Sequence, residues 1–451
     1  MNTKTKSKTN FVCQSCGANS SRWAGQCVHC NEWNCLVELK VSKAPLRITS
    51  YANERSKVVL AEDVSLINEQ RFDCGNTELN RVLGGGVVEG SIVLIGGDPG
   101  IGKSTLLLQT MAHLSQEYAT LYVTGEESLQ QVVMRAKRLN LQLRRLQLLA
   151  ETHIESILAN LKTLNLKVVV IDSIQTLFTE EISSSPGTVS QVRECAGKLV
   201  QFAKTANVAV FIVGHVTKDG VIAGPRVLEH MVDSVLYFEG EGDSRFRLIR
   251  SIKNRFGAAN ELGIFAMTEK GLKPVANPSA LFLSRHTTPT PGSVTMVSWE
   301  GSRPLLVEIQ ALVDQAFGQA KRLAAGVDSH RVNILLAVLH KHAGVATYDQ
   351  DVFLNVVGGV KITETASDLA IIAAVLSSFK NRVIDANWVI FGEVGLAGEI
   401  RPVREGQERL KAAAKHGFTK AIVPLANVSK QEVGLEVIGV QTLEEMMSIL
   451  V

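Results

Sequence analysis

The sequence predicts an α/β protein built in three pieces, and three observations carry that prediction. Short β-branched runs alternate with longer helical stretches from residue 77 to 275. The alternation restarts beyond a Pro/Gly/Ser-rich stretch that holds Pro274, Pro278, Pro289, Pro291 and Gly292. Five of the seven cysteines fall within the first 35 residues. Strands alternating with helices build a mostly parallel sheet covered on both faces. At 451 residues the chain exceeds one ordinary domain of roughly 100–200 residues. The boundaries follow composition: a cysteine-rich module over 1–40, a linker over 41–70, a first α/β domain over 71–275 and a second over 276–451. A content of 45% hydrophobic and 20% charged residues excludes wholesale disorder. No internal repeat is visible, which sets aside solenoids and propellers.

In the first module, Cys13-x2-Cys16 and Cys27-x2-Cys30 form two matched pairs. Each pair is a knuckle, and two knuckles close one tetrahedral Zn²⁺ site whose four thiolates leave no open position, so the zinc is structural. A redox pair is the competing reading, but matched pairs in a module with no other core favour metal. Zinc then supplies folding free energy on the order of 10 kcal/mol. The odd cysteine total and the absence of an apolar stretch after Lys4, Lys6 and Lys8 argue against a disulfide framework and a secretory signal. Cys35 reads as a spare small apolar residue, and Trp23 and Trp33 are expected to pack around the knuckles, with a stacking surface as the alternative.

In the first α/β domain the apolar runs 91–96, 119–124, 167–172, 208–213 and 234–239 predict strands. The segment Gly97-Asp98-Pro99-Gly100-Ile101-Gly102-Lys103-Ser104 is a full P-loop, placed between the first strand and an apolar-periodic stretch that starts at Thr105. Its glycines let backbone N–H groups turn inward around phosphates, and the helix N-terminus adds its positive dipole end. Lys103 reaches the β- and γ-phosphates of a nucleoside triphosphate and the Ser104 hydroxyl ligates Mg²⁺. Asp172 closes an apolar strand, where the acid of a magnesium site belongs, because strand C-termini of open α/β sheets face the ligand. The strand at 119–124 runs into Glu126 and Glu127, either of which is a candidate for the base that positions water. His215 ends another strand and is placed to sense the γ-phosphate.

The second domain is expected to open with strand-like runs, to contain an apolar helix over 366–379, to end its strands at 421–424 and to close with a helix over 442–450. Its longest apolar run, eight residues over 369–376, falls well short of the ~18 a membrane span requires. A soluble, cytoplasmic protein is therefore expected. A net charge of +3 does not by itself point to nucleic acid.

These residues together carry a resemblance that covers nearly the whole chain. The finger with Arg22-Trp23-x-Gly25 and Trp33-Asn34, the P-loop, and the pentapeptide Lys253-Asn254-Arg255-Phe256-Gly257 resemble the RadA (Sms) family of bacterial DNA repair proteins. The resemblance implies a C4 zinc finger, a RecA-like ATPase core and a C-terminal Lon-protease-like α/β domain. It also implies a homo-oligomeric, hexameric ring that works on single-stranded and branched DNA beside a RecA-type recombinase and drives branch migration. By the same resemblance Glu126 matches the catalytic glutamate, His215 a switch at the start of a DNA-facing loop over 214–225 with Lys218, and Lys253 and Arg255 reach a neighbour's phosphates or DNA.

The stretch from Gly392 to Val403 resembles the Lon-type protease domain, whose Ser nucleophile is activated by a Lys. Here the Ser position falls on Ala366 and the Lys position on Gln407, with Ser367 and Lys411 displaced along their helices. A domain without protease activity is expected, with Arg303, Lys321, Arg322 and Arg331 as candidate phosphate contacts. Two further readings stand beside the DNA motor: a regulatory ATPase acting on protein partners, and an ATP-dependent protease.

Overall fold

The computed structural model describes residues 10–13, 18–20, 22–39, 70–215, 225–239, 245–283, 289–428 and 434–450. Cys16, nearly all of the linker, and residues 216–224 of the expected DNA-facing loop, Lys218 among them, lie outside the described residues. The chain divides into two compact units, Met1–Val275 and Ala276–Val451.

At the start of the first unit, Asn10–Cys13 pairs antiparallel with both Asn19–Ser20 and Leu36–Leu39, which sets Cys13 opposite Leu36. Among the described residues, the buried interior here consists of Cys13, Cys27, Cys35 and Leu36. That is far too little apolar surface to offset chain entropy without a metal. Trp23 and Trp33 do not pack around the knuckles as expected: they are 60% and 71% exposed.

The rest of the unit is a nine-stranded sheet. Its strands in chain order are β1 (Ile92–Gly97), β2 (Thr120–Thr124), β3 (Leu146–Ala150), β4 (Val168–Asp172), β5 (Ala209–His215), β6 (Ser234–Glu239), β7 (Phe246–Asn254), β8 (Leu262–Thr268) and β9 (Gly271–Pro274). Their order across the sheet is β9-β8-β7-β6-β1-β5-β4-β2-β3. β3, β2, β4, β5, β1 and β6 run parallel, and β7 to β9 add an antiparallel wing. Helices cover both faces, among them α1 (Lys103–Leu114), α2 (Leu129–Arg138) and α3 (Val189–Ala206). This is why the central strands are apolar on both sides. Val93, Ile95, Val168 and Val170 enter one hydrophobic cluster, while Ile92, Leu94, Val169 and Ile171 enter the other. β3 escapes the sequence reading because an edge strand of Leu and Gln, only half buried, lacks β-branched residues.

The second unit holds a seven-stranded sheet. Its strands are β10 (Ser293–Glu300), β11 (Arg303–Gln315), β12 (Arg322–Ala325), β13 (Gln350–Val356), β14 (Trp388–Ile390), β15 (Lys420–Pro424) and β16 (Glu436–Val440), ordered β12-β13-β11-β10-β14-β15-β16. β16 follows the strand expected to be last. It is a short parallel edge strand whose residues are mostly half exposed, so its apolar signal is weak. The apolar helix is Asp368–Phe379, entered through a 3-10 turn at Thr365–Ser367, and the final helix is Leu443–Leu450.

Candidate functional site

β1, β4 and β5 lie side by side and β2 flanks β4, so their C-terminal ends meet along one sheet edge. The P-loop leaves β1 there. Gly97, Gly100 and Gly102 all have positive φ, at 148°, 78° and 120°. A side chain on Gly97 would place its Cβ 2.8 Å from the Cβ of Phe238. Only glycine supplies both the left-handed backbone and the close approach. Gly102 caps α1 without a side-chain bond, so the first N–H groups of the helix point into the loop.

Lys103 opens α1 and is only 4% exposed. Its ammonium donates to the carbonyls of Gly97 at 2.6 Å and Asp98 at 2.8 Å. Burial lowers its pKa to about 8, against the opposing charges of Asp172, Asp98 and Glu126.

Asp172 is 9% exposed, and one carboxylate oxygen accepts a hydrogen bond from the Tyr122 hydroxyl at 2.5 Å. Burial and the Asp172 charge raise the Tyr122 pKa well above its ordinary value. Ser104 at the start of α1 and Asp172 at the end of β4 are hard oxygen donors of the kind that suits Mg²⁺. Tyr122, on β2 and only 1% exposed, is a residue the sequence reading missed. Its position in an apolar strand looked like core packing, and the signal was its phenol.

Thr124 on β2 pairs with Asp172 on β4, so the chain leaving β2 carries its acids past the magnesium pair. The two acids then separate. Glu126 accepts from Ser173 Oγ at 2.5 Å and meets His215 Nε2 at 3.0 Å. Burial works to raise the Glu126 pKa, but the Ser173 hydrogen bond and the charges of His215 and Lys103 outweigh it and hold the carboxyl below its ordinary value. Glu127 instead pairs with Arg135 of α2. Ser173 and Arg135, which distinguish the two acids, carried no sequence signal. A cleft of about 480 Å³ opens beside the first turn of α1, lined by Thr105, Arg138, Leu139, Met267, Thr268, Glu269 and Gly271.

Lys253 and Arg255 lie elsewhere. Asn254 pairs with Ser234, and Ser234 with Val93, which puts the pentapeptide at the N-terminal ends of the parallel strands. That end is the one opposite the P-loop. The Lys253 ammonium donates to the carbonyls of Glu229 at 2.7 Å and Val232 at 2.8 Å. Burial and then the Arg255 charge lower its pKa. Arg255 pairs with Asp233 at 3.2 Å while its side chain stays 60% exposed. Asn254 Oδ1 accepts from the Phe256 N–H and the Ser234 hydroxyl, both at 3.0 Å. Gly257 meets the backbone of Gly84, where an added Cβ would lie 2.8 Å from the Gly84 Cα. Within one chain these residues do not join the site at the P-loop.

In the N-terminal module the sulfurs of Cys13, Cys27, Cys30 and Cys35 all lie within 4.8 Å of one another. Cys13 Sγ is 3.5 Å from Cys30 Sγ and 3.4 Å from Cys35 Sγ. Four thiols packed this closely fit a tetrahedral zinc shell, in which Zn–S bonds of about 2.3 Å set sulfurs roughly 3.8 Å apart. Cys35 is therefore not a spare apolar residue; it belongs to the cluster. The expected Cys16 lies outside the described residues.

In the second unit, Ala366 and Ser367 are buried, and the Ser367 hydroxyl donates to the Glu364 carbonyl at 2.9 Å. The Gln407 amide donates to the Asn427 carbonyl at 2.8 Å. Lys411 is 61% exposed and pairs with Glu408 at 3.0 Å. No Ser–Lys pair is formed among these residues, since each hydroxyl or amine is committed to another partner. Arg331 is held by Asp368 and the Val394 carbonyl. Lys321 and Arg322 are exposed, and Arg303 is half-buried at the start of β11.

The fold and the P-loop edge define a class: a RecA-like P-loop ATPase with an N-terminal C4 zinc ribbon. Comparisons with known proteins agree. A family model described as an AAA domain matches residues 60–221, one described as a rubredoxin metal-binding domain matches 11–38, and one for subunit ChlI of Mg-chelatase matches 324–427. The DNA repair protein RadA of Pseudomonas aeruginosa is 58% identical, over 99% of this chain and 99% of its own. That of Escherichia coli is 55% identical over 98% of each chain, and that of Bacillus subtilis 49% over 98% of each. The chain belongs to the family of the DNA repair protein RadA. A KaiC-like protein from Pyrococcus horikoshii, at TM-score 0.39 and 19% identity over 46% of this chain and 99% of that one, is too distant to carry an argument. Among the described residues no helix is long and apolar enough to cross a membrane.

Proposed function

We propose that this chain is a DNA-stimulated ATPase that processes recombination and repair intermediates, working in the cytoplasm as a hexameric ring on single-stranded and branched DNA and driving branch migration beside a RecA-type recombinase. The observation that carries the reading is the contact between Glu126 and His215. It joins an acid at the nucleotide edge to the last residue of β5, from which the chain runs directly into residues 216–224. A group that contacts the base and begins a DNA-facing loop can pass DNA occupancy to hydrolysis and nucleotide state back to DNA.

The chemistry follows from the residues. Lys103 leaves the loop carbonyls of Gly97 and Asp98 to hold the β- and γ-phosphates, while the N–H groups of the P-loop and α1 orient them. Ser104 and Asp172 would hold Mg²⁺, which neutralises charge on the phosphate oxygens. Glu126, kept ionised by Ser173 and His215, positions the attacking water; Glu127 is committed to Arg135. Base and ribose lie in the cleft beside Thr105. Arg255, remote from its own P-loop and exposed, serves a neighbouring subunit's phosphates, which accounts for a ring.

The test is ATP hydrolysis by the full chain, with and without single-stranded DNA, beside Lys103→Ala. The reading expects DNA to raise the rate several-fold and the variant to abolish it. Hydrolysis that depends on Lys103 but ignores DNA at low salt would replace the motor with a regulatory ATPase acting on protein partners.

A further inference from the structure

The N-terminal ribbon leaves its two largest apolar side chains outside. Trp23 and Trp33 are 60% and 71% exposed, while the buried interior among the described residues is only cysteines and Leu36. A packed tryptophan buries roughly 150–250 Å², so a module this short of core forgoes much stability by turning both rings to solvent. Apolar surface exposed at that cost marks a place of contact. We propose that Trp23 and Trp33 form a base-stacking surface for single-stranded DNA, separate from the nucleotide edge. The proposal rests on the DNA-stimulated reading above for its partner and adds where, and by what chemistry, the strand is held.

The second knuckle brings the two indoles to one stretch of surface. Gln26 bridges antiparallel to Trp33, and the Asn34 N–H donates to the Gly25 carbonyl at 2.7 Å. Asn31 and Asn34, on either side of Trp33, both take left-handed φ, at 57° and 53°, a conformation asparagine tolerates better than most residues. The Trp33 ring is thereby laid against Gly25, where an added Cβ would meet it at 3.7 Å. Gly25 lies two residues from Trp23. Neither indole meets another aromatic ring or a cation among the described residues. Arg22, next to Trp23, is exposed and forms no ion pair among the described residues.

Charge selects the partner. By sequence the first 40 residues hold Lys4, Lys6, Lys8, Arg22 and Lys40 against Glu32 and Glu38, a surplus of three positive charges. The whole chain carries the same +3, so the remaining residues balance. A positive surplus favours a polyanion, and it opposes a second copy of this chain, whose ribbon bears the same sign. Indole faces stack on any base while neighbouring cations meet the phosphates, which is the combination that holds single strands without regard to sequence. In duplex DNA the base faces are covered by their neighbours, so only an unpaired strand can use these rings.

The experiment measures binding of a labelled oligo(dT) to full-length protein in the presence of a non-hydrolysable ATP analogue. Wild type is compared with W23A, W33A, the double alanine variant and the double phenylalanine variant. Bound zinc reports that the ribbon is folded, and hydrolysis without DNA that the ATPase core is intact. Each alanine change should weaken binding roughly tenfold, the scale of one base–aromatic stack, and phenylalanine should keep most of the affinity. The dependence on salt should not change, because the phosphate contacts remain. Unlabelled oligo(dT) should quench the tryptophan emission of the wild type, and the double phenylalanine variant should lose that quenching. The proposal is overturned if the zinc-bound double alanine variant binds like the wild type; the exposed indoles then face a protein partner or a second copy. It is equally overturned if phenylalanine costs as much as alanine, or if the wild type binds with unchanged emission. The emission test decides even where alanine costs the ribbon its zinc. A wild type that does not bind oligo(dT) at all sinks the DNA-stimulated reading together with this one, whereas the other failures leave that reading standing.

Discussion

At the residue scale, Tyr122 and Lys103 show how burial at the P-loop edge is turned to use. The Tyr122 phenol donates to Asp172, so it sets the direction of the carboxylate proposed to hold Mg²⁺. Tyr122→Phe removes one oxygen from a tightly packed position and leaves the fold intact. We expect it to raise the Mg²⁺ concentration for half-maximal hydrolysis roughly tenfold, in line with loss of a charge-assisted hydrogen bond worth ~1.5 kcal/mol, with kcat at saturating Mg²⁺ little changed. An unaltered Mg²⁺ requirement would refute the positioning role. Lys103 makes a prediction about pH. Burial brings its pKa down to about 8, so the ammonium is fully charged below that value and is lost as pH rises through it. Affinity for a fluorescent ATP analogue should be flat below pH 8 and weaken above it by roughly tenfold per unit. Lys103→Arg, charged throughout, should bind less well but with a flat profile. A wild-type profile that stays flat across pH 8 would sever the link between Lys103 charge and binding.

At the scale of elements, the central parallel strands were legible, while the edge strand β3 and the antiparallel wing β7 to β9 were not. β1, β4 and β5 announce themselves as β-branched runs because helices cover both sides of the sheet. The edge strand β3 is half exposed and has no β-branched residue, whereas β16 carries Val437, Ile438 and Val440 but lies half exposed at its sheet edge. The P-loop, Asp172 and the acids after β2 were readable from motif and strand end. What separates Glu126 from Glu127 was not readable, because it depends on Ser173, His215 and Arg135 arriving from three other elements. The pentapeptide from Lys253 to Gly257 looked like a basic turn, and its glycine has a plain packing cause. Gly257 and Gly84 bring two backbones together, and a Cβ at position 257 would sit 2.8 Å from the Gly84 Cα. Backbone cannot yield as a side-chain tip can, so Gly257→Ala should destabilise the first unit by about 1–3 kcal/mol. Thermal denaturation would measure this, and a melting temperature equal to that of the wild type would show that the contact relaxes freely.

At the scale of the whole molecule, the position of Arg255 bears on the ring proposed above. Ser234 pairs with Val93, so the pentapeptide sits at the start of the parallel strands while the P-loop follows their other end at Gly97. Four residues of strand separate Val93 from Gly97, about 13 Å at the usual rise, and Arg255 is already engaged with Asp233 at its own end. No rotamer change carries it to its own nucleotide. If it acts on phosphate at all, it acts on a neighbour's. A ring of head-to-tail subunits supplies that neighbour at every interface. This predicts complementation between two inactive proteins. Lys103→Ala lacks a working P-loop but keeps Arg255; Arg255→Ala keeps the P-loop and loses an arginine worth on the order of a thousandfold in rate. Mixed and allowed to exchange subunits in equal amounts, they form an intact interface wherever an Arg255→Ala P-loop meets a Lys103→Ala neighbour. With random placement this occurs at about a quarter of the interfaces, and the mixture should recover roughly that fraction of wild-type hydrolysis. A double variant carrying both changes, mixed with itself, should recover none. If the mixture stays as inactive as its components although subunit exchange is demonstrated, Arg255 does not act across the interface. Its pairing with Asp233 is then the whole of its role.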